Sequence, residues 1–209
     1  LPEVGLGGQR ALRAARVLVI GIGGLGCPVV QYLTAAGVGN LILVDTDRVS
    51  LGNLQRQILF ALKDVGSFKV DAARDFILKQ NDKIAVTVYK EMLSAENANA
   101  LLALADIVVD CTDNFDTRYL INDACVKFGK AFVYAAIHTW EGQLAVCNAH
   151  GTGPTYRCLF PDEPSAGEIP TCDEAGVLGF LPGMMGLMQA KEAIFYLTGM
   201  SSPAQNHLL

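Results

Sequence analysis

The run RVLVIGIGGLG, residues 16–26, constrains the fold of this chain more than any other stretch. A short β-branched segment ends at Gly21, and Gly21, Gly23 and Gly26 follow in G-x-G-x-x-G spacing before an apolar helical segment that closes near Gly37. Such glycines let the backbone turn tightly and approach a phosphate held at the positive end of the helix. A second strand, NLILVD (40–45), ends in Asp45, nineteen residues beyond Gly26, where a carboxylate can accept both hydroxyls of a ribose. Strand, glycines and acid in register predict a nucleotide-binding α/β unit. Taken alone they favour NAD and an oxidoreductase. The alternative is tight helix–sheet packing without a ligand.

The rest of the chain continues the alternation. Helix is expected over 67–80, with Val70, Ala73 and Ile77 on one face, then strand over 84–90 and helix over 94–105 with Ser94 as its N-cap. DIVVDC (106–111) reads as a buried strand, and 117–129 as a helix closed by Gly129. Alternation of this kind predicts an α/β, Rossmann-like, mostly parallel sheet with helices on both faces. Two further strands, 130–137 and 142–149, flank the turn-like HTWE and predict a C-terminal antiparallel extension. A long crossover follows from Gly151 to Gly176, and a last helix from about 183 to 199. The chain is read as one domain over 1–209, its nucleotide-binding part at 1–137 and the strand, crossover and helix at 138–209. With no initiator Met, it reads as a fragment of a longer protein.

A hydrophobic fraction of 51% with 18% charged residues fits a globular chain. The formal charge of -5 argues against a nucleic-acid backbone as main partner. Residues 17–44 carry no charge, but their glycines, Pro28 and Asn40 argue against a membrane span. No two cysteines stand in C-x-x-C spacing, and a reducing, cytoplasmic setting is expected.

Beyond Asp45 the pattern departs from NAD enzymes. Asp47 and the polar run Gly52, Asn53, Leu54, Gln55, Arg56, Gln57 follow, and Lys69 stands at the start of a helix after Gly66 and Ser67. Asp113 and Asn114 lie just past the strand 106–111, at its carboxyl end, where open α/β sheets bind ligands. Separately, Lys69 and Arg56 could be solvated surface residues, and Asp113 could cap the helix near Phe115. Together they describe an ATP site, with Asp113 suited to Mg²⁺, which takes carboxylate and phosphate oxygens. There is no G-x-x-x-x-G-K run, and no general base stands close in sequence. A carboxylate substrate needs none: it is already ionised and requires alignment and charge neutralisation. The chemistry that fits is adenylation.

Seven segments spread along the chain resemble one family: LPEVGLGGQRAL, RVLVIGIGGLGCPVVQYLTAAGVGNLILVD, VSLGNLQRQ, GSFKVDAAR, VVDCTDNFDTRYLIND, YRCLFP and TCDEAGVLG. They are similar to the MoeB/ThiF (HesA-like) adenylyltransferases, bacterial relatives of the ubiquitin-activating enzymes. The resemblance implies MgATP-dependent adenylation of the C-terminal glycine of a ubiquitin-like sulfur carrier (MoaD- or ThiS-type), serving molybdopterin or thiamine synthesis. It assigns Gly24 and the glycine loop to ATP, Asp45 to the ribose, Asn53, Arg56 and Lys69 to the phosphates, and Asp113, with Asn114 beside it, to magnesium. It also implies a homodimer, with a sulfurtransferase or cysteine desulfurase as a further partner. Cys172, in IPTCDEAG, matches a cysteine that some members use in thioester or persulfide chemistry, although Asp173 and Glu174 would raise its pKa. Many members bind zinc through C-Y-R-C and a second pair. Here Thr155 leaves Cys158 alone, and no zinc is expected. Alternatives are adenylation of another carboxylate or peptide, and a non-catalytic module that binds ubiquitin-like proteins.

Overall fold

The computed structural model describes residues 1–164, 176–205 and 207–209. Strands β1 (Arg16–Ile20), β2 (Asn40–Val44), β3 (Ala85–Tyr89), β4 (Ile107–Asp110), β5 (Phe132–His138) and β6 (Glu141–Cys147) form a 6-stranded sheet in the order β3-β2-β1-β4-β5-β6. The first five run parallel and β6 pairs antiparallel to β5, with Val133 opposite Val146. Both the parallel body and the antiparallel extension are as expected. The order also places the topological switch between β1 and β4. The chain winds outward through β2 and β3, then returns to lay β4 against the other side of β1.

The described helices are α1 (Gly5–Ala14), α2 (Gly26–Ala36), α3 (Lys69–Gln80), α4 (Ala98–Ala103), α5 (Phe115–Lys127), α6 (Tyr156–Leu159) and α7 (Phe180–Thr198). Strand side chains alternate between two cores because successive residues point to opposite faces. Val17, Val19, Leu41, Leu43 and Val109 meet α1, α2, α3 and α7, while Leu18, Ile20, Ile42, Val108 and Phe132 meet α4, α5 and α6. Burying a Leu or Ile fully contributes about 1.5–3 kcal/mol relative to leaving it exposed. Leu18, Leu41, Leu43, Ile77, Leu102 and Ile107 are all closed off in this way. The uncharged run 17–44 is therefore β1–α2–β2, and among the described residues no helix is long and apolar enough to cross a membrane.

Three local expectations shift. Helix α4 begins at Ala98, not Ser94, because Asn97 builds a turn ahead of it: its Oδ1 accepts from Ser94 N–H and its Nδ2 donates to Met92 O. Helix α5 begins at Phe115, since Asn114 Oδ1 accepts the Thr117 N–H and so caps it. Helix α7 begins at Phe180 and takes Pro182 into its first turn, where a missing N–H costs nothing. Of its methionines, Met185 is buried against Gly142 of β6, Met188 is partly buried and Met184 is exposed. The crossover also contains the single turn α6, from Tyr156 to Leu159.

Candidate functional site

The carboxyl ends of β1 and β4 open onto a cleft of about 220 Å³. Its wall includes Gly21, Gly23, Asp45, Asp47, Lys69, Asp113 and Asn114 of the expected set. It also includes Glu91, Thr112 and Thr117, which sequence reasoning missed. No periodic or glycine signal marks these three; only the topology, which carries the end of β3 and the start of α5 to the switch point, brings them in.

Glycine is required at two points of the turn. Gly21 has φ +88, and a Cβ there would lie 2.7 Å from the Cys111 carbonyl oxygen, so the end of β1 sits directly on the end of β4. At Gly26 a Cβ would lie 2.1 Å from Gly21 O, which makes this the packing glycine of the motif. Gly24 faces Pro182 of α7, where a Cβ would meet the ring at 2.9 Å. Asp45 braces the turn: Ile22 N–H donates to one carboxylate oxygen at 2.6 Å and Asp47 N–H to the other at 2.7 Å.

A short antiparallel bridge, Arg48 opposite Phe68, ties the segment after β2 to the start of α3. Within it Lys69 N–H donates to Asp47 O, and the Lys69 Nζ lies 2.7 Å from Asp47 Oδ2. The lysine side chain is only 7% exposed and the aspartate 62%. A buried ammonium thus stands at the cleft wall with an exposed carboxylate as its ion-pair partner.

The polar run 52–57 lies beside the glycine turn and contributes nothing to the cleft wall. A Cβ on Gly23 would approach Gln57 Nε2 at 3.9 Å, and one on Gly24 would approach Arg56 Cδ at 3.7 Å. Gln57 is buried, and its Oε1 has no hydrogen-bond partner among the described residues. Gln55 packs against Gly179, while Gly52 is exposed. Arg56 and Gln57 therefore border the turn. Gly52, Asn53, Leu54 and Gln55 build the segment that puts them there, with the Arg56 and Gln57 N–H groups both donating to Asn53 O.

On the opposite side the end of β4 is fixed from within. Asp110 is fully buried, and its Oδ1 accepts both Thr112 N–H (3.0 Å) and Thr112 Oγ1–H (2.7 Å). Arg118 of α5 lies 3.7 Å from Asp110 Oδ2 and donates to Thr112 O at 3.3 Å, among the rings of Phe115, Tyr134 and Tyr156. Burial pushes the Asp110 carboxyl up, against the pull of Arg118 and Thr112. Asp113, two residues beyond Cys111, is the exposed end of this turn, and Asn114 rather than Asp113 caps the helix.

The remaining cysteines sort by burial. Cys27, Cys111, Cys125 and Cys147 are buried, as expected of small apolar residues, and burial pushes Cys27 and Cys147 up to about 12. Cys158 is exposed and 3.4 Å from both the Thr155 N and Oγ1, which lowers its pKa. Cys172 lies outside the described residues.

Whether the cleft suits a divalent cation depends on its charges. Asp45, Asp47, Glu91 and Asp113 line it against the single ammonium of Lys69. Among the described residues no grouping of three or more His, Cys, Asp or Glu could cage a metal. One free carboxylate plus phosphate oxygens is the donor set Mg²⁺ uses with nucleotides, so the residues fit a cation that arrives with its polyphosphate.

A glycine turn, a ribose-type acid, a buried lysine and an exposed aspartate at the switch point of a Rossmann-like sheet define a nucleotide-dependent α/β enzyme domain. A family model described as the ThiF family matches residues 1–209, and the chain belongs to that family. It is 48% identical over 213 residues to a sulfur carrier protein adenylyltransferase of Thermus thermophilus, covering 100% of this chain and 79% of that protein. It is 46% identical over 209 residues to the adenylyltransferase and sulfurtransferase MOCS3 of Culex quinquefasciatus, again over 100% of this chain. It spans 48% of that second relative. Among solved structures, E. coli MccB superposes with a TM-score of 0.84 at 24% identity, covering 97% of this chain and 60% of that one. The MccB likeness shows the fold.

Proposed function

We propose that this chain uses ATP and Mg²⁺ to adenylate the C-terminal glycine carboxylate of a ubiquitin-like sulfur carrier, releasing pyrophosphate. The observation that carries the reading is that Lys69, Asp45 and Asp113 share one cleft wall with the glycine turn at the β1–β4 switch. Family membership and the named relatives support the same activity.

In this reading Asp45 receives the ribose. It already holds the turn through Ile22 N–H, so sugar and phosphates are referred to one rigid element. Lys69 leaves Asp47 and takes the phosphates, with Arg56 beside the glycine turn. Asp113 holds Mg²⁺, which supplies charge neutralisation on the phosphate oxygens. The carrier carboxylate attacks the α-phosphorus; a new P–O bond forms as the bond to the bridging oxygen breaks, and pyrophosphate carries away the electron pair. No proton has to be removed, because the carboxylate is already ionised. The dehydrogenase alternative would leave Lys69 and Asp113 without a task. A homodimer, molybdopterin or thiamine as the pathway served, a cytoplasmic setting, a covalent role for Cys172 and the single-domain reading of 1–209 belong to the same proposal.

ATP–pyrophosphate exchange with carriers ending in Gly-Gly tests it. Exchange that needs the carrier and collapses in Asp113→Ala is the expected result. ATP binding with no exchange for any carrier would overturn it.

A further inference from the structure

We propose that Gln189 of α7 is a positioning residue that sets where Asp113 stands, by clamping the end of β4 from the helix side. The proposal rests on the reading above, in which Asp113 holds Mg²⁺. Gln189 is completely buried. Its Nε2 donates to Asp110 O at 2.6 Å and to Val133 O at 3.2 Å, and its Oε1 accepts from the Cys111 thiol at 3.6 Å.

The location explains the need for an amide. The β4–β5 ladder ends at Asp110 opposite Tyr134, while β5 runs on to His138 paired with β6. Asp110 and Val133 lie in the last pairs of that ladder, and the Gln189 amide adds a side-chain donor to both of their carbonyls at its open end. Leucine would fill the same space without supplying one. From the other face, Asp110 and Arg118 hold Thr112. Residues 110–112 are thus gripped on both sides, and Asp113 is the first residue beyond the grip.

The same helix reaches the other half of the cleft, because Pro182 packs on Gly24. Pro182 and Gln189 are seven residues apart, two turns of one helix, so α7 touches both the phosphate-binding turn and the metal-binding turn. It therefore acts as a fixed spacer between them. Removing the Gln189 donors releases the Asp113 end while the glycine end stays seated.

The test is direct ATP binding by calorimetry, with EDTA and across a Mg²⁺ titration, on the parent chain, Gln189→Leu, Gln189→Asn, Asp113→Ala and Ile194→Ala. Ile194, partly buried on α7, controls for general destabilisation. Gln189→Leu should raise the half-saturating Mg²⁺ concentration roughly tenfold, the scale of losing an outer-shell support of a metal ligand. Metal-free ATP affinity should stay unchanged. Gln189→Asn, a shorter amide, should fall between parent and Leu, and it carries the test if the Leu variant does not fold. Ile194→Ala should lower Tm without moving the Mg²⁺ midpoint. A Gln189 variant that loses Tm but keeps the parent midpoint, while Asp113→Ala shifts it, would overturn the positioning role alone. A parent whose ATP binding ignores Mg²⁺, or an Asp113→Ala midpoint equal to the parent's, would overturn the reading of Asp113 and this inference with it.

Discussion

The two sides of the cleft are built differently. The β4 side is locked by buried groups: Asp110, Arg118 and Gln189 lie at 0%, 5% and 0% exposure, and Asp113 and Asn114 emerge beyond them. The β2 side is held by a backbone bridge at Arg48 and Phe68 and by an ion pair whose acidic member, Asp47, is 62% exposed. Water can reach and replace the exposed Asp47 carboxylate, but Lys69, 7% exposed, has to keep a partner, whereas the buried β4 network has no solvent to replace any of its groups. One side presents a metal-type carboxylate in a fixed place. The other holds its lysine through an exposed carboxylate that, in the proposed function, gives way to a phosphate.

The largest effect should come from the fixed side. Asp113→Ala is expected to reduce carrier-dependent exchange by about 10²–10³, the scale of losing one preorganised electrostatic group. Because Asp113 is exposed and caps no helix, its thermal midpoint should match the parent. A large Tm loss would show that the carboxylate also holds the turn, and the contrast between locked support and free terminus would fail. Lys69→Ala should cost on the order of 10² in exchange. Asp47→Asn should cost far less, since the pair is expected to open during turnover. Equal losses for Lys69→Ala and Asp47→Asn would mean that the ion pair itself is the working unit and that the looser side is not loose.

The contrast also separates what the residues revealed from what they concealed. The β2 side was legible because its signals are local. Gly21, Gly26 and Asp45 stand at spacings dictated by one strand–turn–helix unit, and Lys69 starts a helix whose apolar face was readable at Val70, Ala73 and Ile77. Asp113 was legible by its place after a strand. The support beneath it was hidden. Gln189 reaches Asp110 from 79 residues away, and Arg118 looks like any helix residue until Tyr134 and Tyr156 close around it. Ser94 misled because a side chain three residues on, Asn97, made the turn first. The run 52–57 suggested contact with the ligand; Arg56 and Gln57 border the glycine turn, and which face of an irregular segment looks inward is a tertiary outcome.

A stability measurement sharpens the comparison at the junction of the two sides. Gly21→Ala places a methyl 2.7 Å from the Cys111 carbonyl oxygen at φ +88, so backbone strain and overlap act together. A loss of about 2–4 kcal/mol is expected, a fall of some 4–16 °C in Tm for a chain of this size. A fall under about 2 °C would mean that β1 and β4 can separate freely at the switch point.

The smallest effect lies outside the cleft and shows what an exposed pair contributes when nothing buried supports it. Arg157 of α6 donates to both Asp123 oxygens, at 2.7 and 2.8 Å, with the aspartate side chain 52% exposed. The Arg157 hydrogen bonds hold the Asp123 carboxyl below the usual carboxylate range. A folded pKa below the unfolded value of about 3.9 adds stability that is complete above that value and is lost as pH falls through the depressed folded pKa. Solvent screening makes the contribution small, so Asp123→Asn should lower Tm by no more than about 2 °C at pH 7. The difference from the parent should shrink as pH falls through the depressed folded pKa, because a protonated Asp123 no longer pairs with the Arg157 cation. A deficit that persists unchanged in acid would show that Asp123 acts through the Asn122 hydrogen bond or through packing instead, and that even this rim pair is more firmly built than the loose side of the cleft.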